Sequence, residues 1–288
     1  CADANIDFCK SVAEKYGIKA WENGEEMIAS DEIDAVVVTT LDPFHEQYVM
    51  AAIKAGKYVF CEKPLAQNAG DCEKIIAAET AHGKRLLQVG FMRRYDRGYA
   101  EMKRIIDSGE LGAPLMIHAC HRNVSQPDGF QTEMGVSNVA IHELDICRWL
   151  LGDEYESAQV LKVRQSACST KGYDNPQIVL LETKSGARID VEVQVADAYG
   201  YDIQCQVVCE KGTVNLPDPY AVVKRANASR SFPILTDWKD RFIEAYDIEL
   251  THWVKTLEEK GEPDGPSAWD GYAACVAADA LNRSRGTG

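Results

Sequence analysis

Positive charge is scarce in this chain: 31 lysines and arginines stand against 45 aspartates and glutamates, a formal charge of −14. Such a field repels phosphate backbones and anionic lipid surfaces, which argues against nucleic-acid and membrane partners. A neutral small molecule meets no such barrier. No apolar run approaches the roughly 18 to 20 residues that a membrane-crossing helix needs. Nor is there a signal-peptide pattern at the start, where the chain begins at Cys1 and reads as starting inside a domain. The ten cysteines contain no C-x-x-C pair, and the closest two, Cys205 and Cys209, fall in a strand-like segment. They read as reduced, mostly buried thiols rather than a disulfide framework. His118-Ala-Cys-His121 resembles a metal cluster, but strand alternation over Leu115 to Arg122 turns the two histidines to opposite faces, so no metal is expected. Finally, G-x-G-x-x-G, the loop whose backbone N–H groups hold a dinucleotide pyrophosphate, does not occur.

What is present is an ordinary globular composition, 45% apolar and 26% charged, over 288 residues, enough for two cores. To about residue 90, strand and helix signals alternate. Helices are expected over Asp7–Tyr16, Glu25–Ser30, Pro43–Ala55 and Ala69–His82, with Gly17, Gly56 and Gly83 past three of their ends. The strands are Asp34–Thr40, Lys57–Cys61 and Arg85–Val89; the β-branched run in the first predicts burial on both faces. Repeated β-α-β units give a parallel, Rossmann-type doubly wound sheet. After residue 90 come a helix (Asp96–Ser108), a strand to Arg122 and a helix from Val136 to Leu151. Hairpin-linked strands follow over Ser157–Gln165, Gln177–Thr183, Ala187–Val195, Ile203–Glu210 and Thr213–Leu216, and helices near Arg241–Glu259 and Ser267–Arg283 close the chain. The expected fold is α/β: an incomplete doubly wound domain over 1–90, lacking its first βα unit, then an α+β domain over 91–288 with a mainly antiparallel open sheet.

Three places carry chemistry. Asp3 stands before the first helix, where a doubly wound domain puts the acid that binds the adenosine ribose, provided roughly one βα unit precedes it. No arginine stands beside it to take a 2′-phosphate, which favours NAD over NADP. Taken alone, Asp3 reads better as an acid at a helix N-terminus. Lys63, in Cys61-Glu62-Lys63-Pro64, lies beyond the carboxyl end of a buried strand, where open α/β sheets bind ligands. Its ammonium suits an alcohol oxygen that becomes an alkoxide as hydride leaves; a surface Glu-Lys pair reads the same. Asn138, His142 and Asp145 share one helix face at i, i+4 and i+7. An imidazole there can take a hydroxyl proton near neutral pH, or it is one half of a surface His–Asp pair.

Cys61-Glu-Lys-Pro-Leu65, Gly90-Phe-Met-Arg-Arg-Tyr95, His121-Arg-Asn123, Ile141-His-Glu-Leu-Asp145 with Arg148-Trp149, Tyr199-Gly-Tyr-Asp202 and Gly265-Pro-Ser-Ala-Trp-Asp270 together resemble the Gfo/Idh/MocA oxidoreductase family, which includes glucose-fructose oxidoreductase and inositol dehydrogenase. The likeness is greatest to the inositol 2-dehydrogenase branch and runs from Asp3 to the C-terminus. It implies NAD as cofactor, lined by Asp3, Thr39, Thr40, His45, Glu62 and Lys63. It also implies Lys63 at the reacting hydroxyl, His142 as general base, and a polyol pocket of Arg93, His121, Asn123, Asn138, His142 and Tyr201. The implied reaction oxidises one hydroxyl of a neutral cyclic polyol, myo-inositol before scyllo-inositol or another sugar, in a cytoplasmic homodimer or homotetramer paired through the C-terminal sheet. Two features depart from the family. Asn138 replaces the usual aspartate behind the histidine, and an amide cannot stabilise an imidazolium as a carboxylate does, so reduced or redirected activity is expected. Asp145, a turn onward, is the candidate substitute. The absent phosphate loop predicts weak NAD binding by these 288 residues alone. Both departures also fit a non-catalytic relative that only binds a sugar or nucleotide.

Overall fold

The computed structural model describes residues 1–169, 172–219 and 222–285, which form two compact units. The first unit comprises Cys1–Phe91 and Thr251–Cys275. Its helices begin where asparagine side chains cap free backbone N–H groups: Asn5 for α1 (Ile6–Tyr16), Asn23 for α2 (Gly24–Ala29) and Asn68 for α4 (Ala69–His82). Gly17 and Gly83, both left-handed, end α1 and α4. Helix α3 (His45–Lys54) follows a 3₁₀ turn at Asp42–Phe44.

The apolar runs between these helices form a parallel sheet in the order β1 (Ala35–Val38), β2 (Tyr58–Glu62), β3 (Leu87–Gly90). Its register pairs Val38 with Cys61 and Glu62 with Gly90, so Thr39 and Lys63 both lie just past strand carboxyl ends. β2 and β3 are buried as expected, but β1 is not: Val36 and Val38 are inside, while Ala35 and Val37 are exposed. β1 is an edge strand covered on one face, so its β-branched run reports strand propensity rather than burial on both sides. The segment Thr251–Cys275, which a division after residue 90 leaves out, packs here. Val89 N–H donates to the Pro266 carbonyl at 2.9 Å, and the Phe60 and Trp253 rings meet edge to face at 5.6 Å.

The second unit runs over Met92–Leu250 and resumes at Val276. Helix α5 (Arg97–Ser108), capped by Asp96, leads to β4 (Pro114–Arg122) and, after a loop, to α6 (Ile141–Leu151). Five further strands, β5 (Tyr155–Lys162), β6 (Gln177–Thr183), β7 (Arg188–Gln194), β8 (Asp202–Cys209) and β9 (Gly212–Asn215), join β4 in a sheet of order β5-β6-β7-β4-β8-β9. All neighbours are antiparallel except β4 and β7, which run parallel. Alternation buries one face, with Val179, Leu181, Ile189, Val191, Val193, Cys205 and Val207 inside. A small hairpin, β10 (Lys224–Ala226) and β11 (Ser229–Ser231), was not expected from sequence. Its strands are polar and fully exposed, so no burial pattern marks them, and its turn is Asn227-Ala228 where Asn-Gly would have been the signal. Helices α7 (Trp238–Lys260) and α8 (Ala268–Ser284) complete the chain, and no helix is long and apolar enough to cross a membrane among the described residues.

Candidate active site

In the first unit, Asp3 follows a parallel bridge between Ala2 and Trp21, and its exposed carboxylate accepts the Asn5 N–H at 2.7 Å ahead of α1. An exposed acid at the end of a strand-like segment suits the hydroxyls of a ribose. Thr39 and Thr40 are exposed beyond β1. His45 differs from its expected role. It is 1% exposed, with Nδ1 2.6 Å from the Pro64 carbonyl and Nε2 3.0 Å from the Thr40 carbonyl. The ring thus ties the loop after β1 to the Lys63–Pro64 peptide, which is cis, and fixes where Lys63 and Thr40 stand instead of facing a ligand itself. Burial pushes the Glu62 carboxyl above its usual range, against the pull of the neighbouring Lys63 ammonium.

The second unit gathers Arg93, His121, His142 and Tyr201. Arg93 comes from a 3₁₀ turn (Met92–Tyr95), His121 from the end of β4, His142 from the first turn of α6 and Tyr201 from the loop before β8. The His121 ring lies 6.1 Å from that of His142 and 6.0 Å, edge to face, from Tyr201. Alternation along β4 works as expected: His118 is half-exposed, 2.5 Å from Asp190, whereas His121 is 4% exposed. Asn123, one step past β4, is held by its backbone, its N–H to Gln194 and its carbonyl from Asp197, both at 2.8 Å.

Arg93 does not line a pocket as expected. It is 1% exposed and forms an ion pair with Glu143, itself 1% exposed. Burial pushes the Glu143 carboxyl up, but Arg93 and then His121 pull harder, leaving it below its usual range. Tyr201 is pushed up to about 12 by burial, against the pull of Arg93. Glu143 had no role in the sequence reading; it lay within a quoted motif, but nothing in spacing links it to an arginine fifty positions earlier.

The expected helix from Val136 begins instead with a π-helical stretch at Gly135–Ala140, and α-helix takes over at Ile141. π turns accommodate an extra residue and recur at functional sites. A Cβ at Gly135 would come within 2.8 Å of both Gln177 Nε2 and the Tyr173 hydroxyl, so a larger residue there would have to displace both side-chain ends. Asn138 sits in this stretch and its Oδ1 accepts from Ser137 Oγ at 2.9 Å. Asp145, the candidate substitute for the usual carboxylate behind His142, has an arginine partner. It is 2% exposed and held bidentately by Arg94, at 2.9 and 2.5 Å.

Another device missed from sequence is Arg122, whose side chain leaves β4 on the face opposite His121. It pairs with Glu192 and Asp202 and donates to the Tyr199 hydroxyl at 2.8 Å, strapping the Tyr199–Asp202 loop to the strand. Gly200 has φ +155°, and a Cβ there would lie 2.6 Å from Ile234 Cγ2 and 2.7 Å from the Leu235 carbonyl oxygen. That carbonyl accepts the Tyr201 N–H at 2.6 Å, so glycine is what lets Tyr201 reach its position.

Comparison with known proteins gives the same picture. Residues 2–91 match the model of an oxidoreductase family with an NAD-binding Rossmann fold, and residues 103–288 match that family's C-terminal alpha/beta domain. The inositol 2-dehydrogenase of Klebsiella pneumoniae (strain 342) is 51% identical over 288 residues, covering 99% of this chain and 85% of the relative. That of Ralstonia nicotianae is 54% identical over 275 residues, 95% of this chain and 81% of the relative. The crystal structure of myo-inositol dehydrogenase from Lactobacillus casei in complex with NAD(H) and myo-inositol superposes with a TM-score of 0.95 at 36% identity, covering 99% of this chain and 85% of that one.

Proposed function

The chain belongs to the oxidoreductase family in which an NAD-binding Rossmann fold is followed by a C-terminal alpha/beta domain, and from that membership we propose that it oxidises a neutral cyclic polyol, myo-inositol before its isomers, to the corresponding ketone. The observation that carries the substrate class is the cluster of the second unit. It offers imidazoles, a phenol and nearby amides, and its one arginine is already neutralised by Glu143, so nothing there clamps a carboxylate or phosphate. This is the donor and acceptor set a polyhydroxy ring needs.

The residues divide the work. Asp3 binds ribose hydroxyls, with Thr39, Thr40 and Glu62 along the same strand ends; His45 holds that loop in place. NAD, when bound, supplies the acceptor for the hydride that leaves the alcohol carbon. His142 takes the hydroxyl proton, and the Lys63 ammonium donates to the oxygen as negative charge gathers on it. Asn123, Tyr201 and His121 hold the remaining hydroxyls. Assay of the full-length gene product with NAD against myo-inositol, scyllo-inositol and glucose tests the reading; no NADH from any of them would defeat it.

Asn138 favours a second reading, an impaired relative, because its amide oxygen is engaged by Ser137 and Asp145 is taken by Arg94. An amide at position 138 brings no negative charge to the His142 imidazolium. Asn138→Asp is therefore expected to raise kcat about tenfold, the equivalent of roughly 1.4 kcal/mol of added stabilisation for one charge-assisted contact. An unchanged kcat in the variant would mean that this substitution is not what limits the enzyme.

We further propose a cytoplasmic homodimer or homotetramer paired through the outer face of the six-stranded sheet, where β4 and β7 present His118, Asp190 and Glu192. Light scattering is expected to give two or four chain masses, and a monomer at micromolar concentration would overturn it.

A further inference from the structure

We propose that the buried Arg93–Glu143 pair sets the hydrogen-bonding polarity of the pocket wall: it holds His121 as the Nδ1–H tautomer, making Nε2 an acceptor, so that the wall fits a substrate hydroxyl that gives a proton. The substrate half of this inference rests on the polyol reading above; the tautomer half does not.

Protons can be counted around the cluster. Glu143 is a carboxylate, with no hydrogen to give. Its Oε1 receives Arg93 Nη1, and its Oε2 lies 2.9 Å from His121 Nδ1. Two lone pairs at that distance would repel, so the hydrogen between them belongs to the imidazole. Arg93 Nη2 stands 3.2 Å from the same nitrogen. A guanidinium only donates, so this longer approach loses to the shorter, charge-assisted one. A second proton on the ring would place two cations beside one carboxylate in a cluster where Arg93 and Glu143 are each 1% exposed and His121 is 4% exposed. Desolvation opposes that arrangement. The imidazole is therefore neutral, and Nε2 carries its lone pair on the ring edge away from Glu143.

The Tyr201 ring stands 6.0 Å from that of His121 at 87°, and beside it the Nε2 acceptor is dictated by an ion pair that touches no substrate. Arg93 and Glu143 are positioning residues in this scheme.

The test is ¹⁵N NMR of the full-length protein carrying ¹⁵N-histidine, with the His121 signals assigned by their loss in His121→Asn. The expected spectrum at pH 7–8 shows His121 protonated on Nδ1 only. An Nε2–H tautomer or an imidazolium would overturn the proposal. Glu143→Gln supplies the functional arm. It should shift His121 toward Nε2–H and raise KM for the polyol roughly 10- to 100-fold, the cost of one mismatched buried hydrogen bond, with a smaller change in kcat. An unshifted tautomer in a folded variant would count against Glu143 as the cause. Should that variant fail to fold, the wild-type spectrum still decides. If no polyol is oxidised but His121 is Nδ1–H, the substrate reading falls and the polarity argument stands; if polyols are oxidised and His121 is Nε2–H, only the polarity argument falls.

Discussion

Replacing His142 by glutamine in the full-length protein is expected to lower kcat for polyol oxidation by about 10²- to 10⁴-fold, the range over which a positioned general base acts. Glutamine is close to histidine in volume and retains hydrogen-bonding groups, so a position only 8% exposed in the wild type should lose at most about 1.5 kcal/mol of stability. The fold control is therefore available in the same variant. The pH profile separates a base from a structural residue. In the wild type, kcat/KM should fall on the acid side as the imidazole protonates and can no longer accept. In His142→Gln that limb should disappear, and the residual rate should climb with hydroxide instead. A variant with near-normal kcat and an unchanged acid limb would assign the proton transfer to another group, such as His121, whose ring lies 6.1 Å away.

Why His142 was legible in the sequence and Glu143 was not comes down to the range of the interactions. His142, Asn138 and Asp145 are read by helical periodicity, a local rule, and the 3.6-residue period does not hold where Asn138 sits in the π-helical stretch before α6. Periodicity could not show that Asp145 belongs to Arg94 or that Glu143 belongs to Arg93, since those partners come from a turn some fifty residues earlier. His45 shows the same limit from the other side. Its place on the loop after β1 was readable, but its Pro64 carbonyl partner, 19 residues on, is tertiary. The parallel and mainly antiparallel sheets were foreseeable from β-α-β alternation and hairpin glycines, because those signals are short-range. The exposed face of β1 was not, because burial depends on what packs alongside. The strap from Arg122 across to Asp202 and the loop residue Tyr199 depends on the sheet register that sets Arg122 opposite Asp202.

Lys63→Met should lower kcat about 10²- to 10³-fold with a lesser change in KM, the cost of removing one donor aimed at developing oxyanion charge. Methionine keeps most of the unbranched stem, so the turn beyond β2, fixed by His45 against the Pro64 carbonyl, should persist. Arginine would not rescue: its planar fork is bulkier and delocalises the charge that a compact ammonium concentrates. A second readout follows from Glu62. Burial already raises its carboxyl pKa, and Lys63 is the strongest influence holding it down. A carboxyl raised in the folded state binds protons more tightly there than when unfolded, so stability declines as pH climbs from the ordinary carboxylate range through the raised value. Without Lys63 that value rises further, and the decline should extend to higher pH in the variant than in the wild type. Thermal unfolding from pH 4 to 8 measures this directly. If Lys63 were merely half of a surface Glu-Lys pair, both effects would be slight: kcat within about threefold, as suits an exposed pair worth under about 1 kcal/mol, and superimposable stability profiles. A large fall in kcat with superimposable profiles would keep the ammonium at the alcohol oxygen but remove its hold on Glu62.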